Sequence, residues 1–162
     1  MARGIERRKI FRDDEDYKRF LDFLEKFSLR HNVWIYAYAL LPSHFHVLVG
    51  TPDANLSAFM HALKSSYVNY FNIRTHRAGR LFQDRFRAHV VEKETYLLEL
   101  HRHVHLNPVR AGLVKRPEKW KWSSYAEFIC PRSREHGSAE GREGNLQKQE
   151  TWKGDRQPLL NI

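Results

Sequence analysis

The 162-residue sequence predicts an α+β domain. Two stretches, 13–30 and about 55–74, carry apolar residues at helical spacing. Three shorter runs, 33–41, 44–50 and 86–91, are dense in β-branched and aromatic residues, as strands are. Helices and strands in one chain of this length make the class α+β.

In the first helix, Tyr17, Phe20, Leu21, Leu24 and Phe27 or Leu29 recur on one face. Asp13 or Asp14 can cap its N-terminus, where acidic residues also suit the helix dipole. Val33 to Leu41 is the next strand, Pro42-Ser43 a tight turn and His44 to Gly50 its antiparallel partner. A helix starting at Asn55 or Ser57 sets Leu56, Phe59, Met60, Leu63, Tyr67, Tyr70 and Phe71 along one stripe, and Ala78-Gly79-Arg80 ends it. The last long helix runs from about Thr95 to Leu106. Pro108 lacks an N–H, so the helix is expected to bend or stop near Asn107. Trp120, Trp122 and Tyr125 form an aromatic coda expected to pack on the domain.

Composition separates two regions. Residues 1–130 form the folded domain, and residues 131–162, polar and without apolar period, are expected to be a disordered tail. The formal charge is +9 with a pI near 9.8. The tail holds 6 Lys and Arg against 5 Asp and Glu, so +8 belongs to the domain. Such an excess points to a polyanionic partner, most simply nucleic acid. One cysteine, Cys130, rules out an internal disulfide and suits a reducing cytoplasm. No apolar run approaches the ~18 residues of a membrane span, and the basic N-terminus lacks the apolar core of a secretory signal.

The chemistry centres on Leu41-Pro42-Ser43-His44-Phe45-His46-Val47-Leu48-Val49. Alternate strand residues share a face, so His44 and His46 point one way and Phe45 the other. Two adjacent imidazoles can grip a divalent cation, which acts as a Lewis acid on a phosphate oxygen. A bare His-x-His also fits one core and one surface histidine.

A longer series narrows the reading. His44-Phe45-His46 is followed by a long helix, Gly79-Arg80-Leu81-Phe82-Gln83-Asp84-Arg85-Phe86, Tyr96-Leu97-Leu98-Glu99-Leu100, Leu106-Asn107-Pro108-Val109-Arg110-Ala111-Gly112 and Trp120-Lys121-Trp122-Ser123-Ser124-Tyr125. Together with Ile10-Phe11-Arg12-Asp13-Asp14 upstream, the order resembles the REP-associated tyrosine transposases, a branch of the single-tyrosine HUH transposases, from about residue 2 to 128. The resemblance implies a ferredoxin-like antiparallel sheet covered by helices. It also implies metal-dependent cleavage and rejoining of single-stranded DNA beside hairpins, through a covalent tyrosine–DNA link, in DNA transposition. It places His44, His46 and Asn107 around Mg²⁺ or Mn²⁺. It makes single-stranded or hairpin DNA the partner of a monomer or homodimer. Arg3, Arg7, Arg8, Arg80, Arg85, Arg87 and Arg110 are plausible phosphate contacts, although Phe86 and Arg87 face opposite sides of a strand.

The sequence departs from the family pattern twice. The nucleophilic tyrosine is expected four residues before Asn107, and His103 stands there. Positions i and i+4 share a helix face, so the spacing still suits a site, but imidazole cannot form a phosphotyrosine. Three readings stay open. The chain binds hairpin DNA without cutting it; or another tyrosine substitutes, Tyr96 being the candidate at about 10 Å along the helix; or His103 is a metal ligand or nucleophile itself. His101 and His105 are expected at the surface or against DNA. The second departure is N-terminal: residues 1–8 match only the end of the region that precedes Ile10, so the domain is expected to be shortened and its first strand missing.

Overall fold

The computed structural model describes residues 1–91, 97–129 and 159–161. In chain order its elements are β1 (Ala2–Arg3), α1 (Asp14–Arg30), β2 (Trp34–Leu41), β3 (His44–Gly50), α2 (Leu56–Thr75), β4 (His89–Val91), α3 (Leu97–Arg110), α4 (Tyr125–Ile129) and β5 (Leu159–Asn161). The architecture is α+β: an antiparallel sheet with helices on both faces.

β3 is the centre of the sheet. One of its edges pairs with β2 over its whole length. The other pairs with β1 at His44 and Phe45, and with β5 from Leu48 to Gly50. β5 in turn pairs with β4. The first strand, expected to be missing, is thus present as a two-residue stub. Gln83 N–H donates to the Arg3 carbonyl and Arg87 N–H to the Met1 carbonyl, tying the 80–87 segment to its outer side.

The polar tail expected over 131–162 is corrected at its end, where Leu159–Asn161 is a sheet strand; residues 130–158 lie outside the described residues. The physical reason is the edge of β3. Leu48 and Val49 are fully buried, and buried backbone groups without partners are costly. Leu160→Pro removes a backbone N–H and cannot be held in a central strand. Hydrogen exchange should then quicken at the β3 amides between Leu48 and Gly50 and in β4, but not at those bonded to β2. Unchanged exchange there would discount the strand.

α1 and α2 cover one face of the sheet. Asp13 caps α1 by accepting from the Glu15 and Asp16 N–H groups. Tyr17, Phe20, Leu24 and Phe27 then recur at i+3 and i+4 on the buried side. α2 contributes Phe59, Met60, Leu63, Tyr67 and Phe71. Both stripes meet Phe45, Val47 and Val49 of β3, with the Phe20 and Phe45 rings 4.7 Å apart. Arg74 of α2 clamps Asp13 and the fully buried Asp16 of α1, at 2.7 and 2.6 Å.

The Tyr67 hydroxyl donates to the Ile10 carbonyl at 2.6 Å inside this core. Tyr67→Phe strands that carbonyl and should cost about 1–3 kcal/mol in denaturant unfolding; a change below roughly 0.5 kcal/mol would mean water replaces the hydroxyl.

α3 lies on the opposite face, against Ala37, Ala39 and Leu41 of β2 and Leu48 of β3 through Val104. A bulge between Ile35 and Ala37 sets this face. Ile35 sides with the α1–α2 core, whereas Tyr36, Ala37 and Ala39 turn to α3. The aromatic coda closes the free edge of β2. Leu40 N–H donates to the Trp122 carbonyl, Trp120 Nε1–H to the Leu40 carbonyl, and Trp122 stacks on Tyr17 at 4.6 Å.

Two expectations need correction here. α3 does not end near Asn107 but runs through Pro108 to Arg110. Pro108 cannot donate to the Val104 carbonyl, and the Asn107 side-chain amide does so instead at 3.3 Å, while donating to the His103 carbonyl at 2.8 Å. His101 and His105 are not at the surface; they are 8% and 2% exposed, turned toward Phe128 and Ser124. No described helix is long and apolar enough to cross a membrane.

Candidate functional site

The alternation of β3 sends Phe45 into the α1–α2 core and His44 and His46 to the α3 face. Opposite them on β2 are Leu41 and Ala39. The two imidazole centroids lie 5.3 Å apart. The Ser43 hydroxyl sits 3.1 Å from His44 Nδ1 and fixes that ring, a contact the Ser-His dipeptide could have signalled.

Both rings are held neutral at physiological pH. Burial pushes His44 down to about 4, helped by the Arg3 cation. Burial, and then His44 beside it, pushes His46 to about 3. Each neutral ring therefore keeps one nitrogen lone pair that a cation can use.

α3 brings the third component. Ala37 and Ala39 have almost no side chain, so the helix backbone comes close to the sheet, and the His103 ring lies 6.3 Å from that of His46. Arg110, seven residues on, donates from its guanidinium to His103 Nδ1 at 2.8 Å. Burial, then the Arg110 charge, lowers the His103 pKa. The sequence reading put Arg110 among the phosphate contacts and missed this bond, although i and i+7 spacing signals a shared face.

Asn107 is half-buried, one turn beyond His103. Its amide nitrogen is spent on the two helix carbonyls, which leaves the carboxamide oxygen as its remaining polar atom. The two neutral imidazoles on one face suit a divalent cation whose other positions water fills. Among the described residues, no group of three His, Cys, Asp or Glu side chains is close enough to hold a metal ion. Tyr96 lies outside the described residues.

The expected arginines fall in two places. Arg3 pairs with His44 across the β1–β3 ladder and shares its face. Arg3 and Arg7 line an open pocket of about 570 Å³ with Ile5, Glu6 and Gln83. Arg80, Arg85 and Arg87 are exposed on the adjoining 80–87 segment. Arg8 is paired with Glu6 at 2.7 Å, and Arg110 stands apart beside His103. Gln83, a neutral donor and acceptor in the pocket, was not singled out from sequence.

The architecture has a solved counterpart. The structure of a REP-associated tyrosine transposase bound to a REP hairpin matches over 89% of this chain and 86% of that one, at 18% identity and a TM-score of 0.69. The identity is low, so the likeness speaks for the fold. A search of curated proteins finds no match. The sequence model of the IS200-like transposases matches residues 1–107 of the 162, a span that takes in β1, the His44–His46 pair and α3 as far as Asn107. On that match the chain belongs to the IS200-like transposase family.

Proposed function

We propose that this protein binds hairpin-forming DNA, lays the adjoining single strand across the His44–His46 face, and makes no covalent link to it at position 103. The observation that carries the reading is the imidazole of His103, 6.3 Å from His46, at the position where the family pattern has its attacking phenol. The +9 charge supports a polyanionic partner, and the Arg3–Arg7 pocket, flanked by the 80–87 segment, gives phosphates a path beside the imidazoles. The solved transposase of the same fold is itself bound to a REP hairpin.

His44, His46 and the Asn107 oxygen would hold a cation of the Mg²⁺ or Mn²⁺ type, which when bound withdraws charge from a phosphate oxygen. The chain's own groups then orient the strand: Ser43 keeps the His44 ring in place, and Arg3 neutralises phosphate charge on the same face.

A second reading is the family reaction, metal-dependent single-strand cleavage and rejoining next to hairpins. Retention of both histidines favours it. It needs a nucleophile other than residue 103, and Tyr96 is its candidate. One experiment separates the two. A hairpin oligonucleotide with single-stranded flanks is incubated with the protein and Mn²⁺, then resolved both natively and under denaturing conditions. The first reading expects a native complex and no denaturant-resistant one. A covalent adduct would establish the second, and its attachment residue would follow from mass spectrometry.

A further inference from the structure

The Arg110–His103 bond fixes more than a ring orientation. A guanidinium has N–H donors and no acceptor. With Arg110 2.8 Å from His103 Nδ1, that nitrogen must be the acceptor, so the proton of the neutral imidazole sits on Nε2. Neither ring nitrogen then offers a free lone pair. One is taken by Arg110 and the other carries hydrogen. A nucleophile or a metal ligand needs a free pair; a hydrogen-bond donor does not.

Position 103 therefore holds a donor beside a cation. His103 is exposed, as is Arg110, and the guanidinium keeps further N–H groups beyond the one it gives to the ring. Charge-assisted N–H donors of this kind match the unesterified oxygens of a phosphodiester.

We propose that His103 and Arg110 form a phosphodiester clamp, in which the guanidinium holds the ring from its Nδ1 edge and the imidazole Nε2–H, on the opposite edge, donates to one linkage of the single strand next to the hairpin. The clamp rests on the DNA-binding reading given above. It turns the site of attack into a site of grip. A phenol there would meet phosphorus with an oxygen lone pair, whereas this imidazole meets a phosphoryl oxygen with a proton and leaves every covalent bond of the strand intact. The commitment to a phosphodiester comes from the surroundings. Arg3 lies on the same sheet face as the His44–His46 pair, which His103 adjoins.

Two measurements test the clamp. The first needs no DNA. Imidazole nitrogen NMR of the free full-length protein should show His103 as the Nε2–H tautomer, and Arg110→Gln should release it to a mixture. An Nδ1–H tautomer in the unaltered protein overturns the clamp whatever the protein binds. The second walks a neutral methylphosphonate through the single-stranded flanks of a hairpin oligonucleotide, one linkage at a time, with binding read by fluorescence anisotropy. One linkage should cost the unaltered protein about tenfold in affinity. His103→Ala should weaken binding of the unmodified oligonucleotide by a similar factor and lose sensitivity at that linkage alone, and His103→Gln, which keeps an N–H donor, should recover part of both. Hairpin binding with the same linkage profile in His103→Ala overturns the clamp and leaves the DNA-binding reading standing. Absence of hairpin binding in the unaltered protein removes that reading, and the clamp with it.

Discussion

His103→Tyr is expected to give a protein that becomes covalently attached to a hairpin-flanked single strand in the presence of Mn²⁺, where the unaltered protein does not. The groups around residue 103 would serve such a reaction. His44 and His46 are neutral and share a face. Helix α3 is seated on Ala37 and Ala39, so residue 103 is held against the pair rather than swung away from it. Nucleophilic catalysis splits a hard substitution into two steps, but only when the attacking group is present and positioned. A phenol at 103 supplies the group, and the helix supplies the position. The expected readout on a denaturing gel is a change from no adduct to an adduct on a measurable share of molecules, lost again on adding His46→Ala. If the tyrosine variant binds the hairpin as well as the unaltered protein and still forms no adduct, then more than the nucleophile has gone. If the unaltered protein forms one, cleavage is retained and the non-covalent reading is overturned.

Salt should act on binding nearly as strongly as this substitution acts on chemistry. Residues 1–130 carry +8 of the formal +9, and Arg3, Arg7, Arg80, Arg85, Arg87 and Arg110 are half-buried or exposed rather than locked in the core. Each phosphate neutralised releases condensed counterions, with a slope of about 0.9 log units per log unit of salt on duplex. With roughly six such contacts, hairpin affinity should fall about a thousandfold between 50 and 200 mM salt, on the order expected for that number of phosphates. Arg8, already paired with Glu6, should contribute little to the slope. Removing Arg3 should lower it by about one contact. A flat salt profile would place the binding energy in groups other than these cations.

Much of this protein could be read along the chain. The stripes of α1 and α2, the β2–β3 hairpin and the facing of His44 and His46 follow from period and turn chemistry. These are local properties, and the observed helix Asp14–Arg30 and strand His44–Gly50 answer to them closely. The third strand is shorter than its apolar run, His89–Val91 rather than 86–91, because the chain before it is bonded to Met1 and Arg3 instead. The end of α3 was misread because Pro108 was weighed only as a helix breaker. The Asn107 amide beside it takes over the bond that proline cannot make, and nothing in a propensity scale records such a pairing. His101 and His105 were misplaced for a related reason: their burial comes from Phe128 and Ser124, some 20 residues on, and not from the helix that carries them.

By itself, then, the sequence determined which residues could carry the chemistry: two imidazoles on one side of a strand, an asparagine and a histidine one helical turn apart, and an excess of positive charge. Tertiary structure decided the rest. Whether α3 reaches His46 depends on a bulge in β2 that turns two alanines toward it; the proton position on His103 depends on where the Arg110 side chain comes to lie; and the free edge of β3 is closed by residues from opposite ends of the chain. Each is a contact whose energy depends on distance in space, and separation along the chain does not encode it.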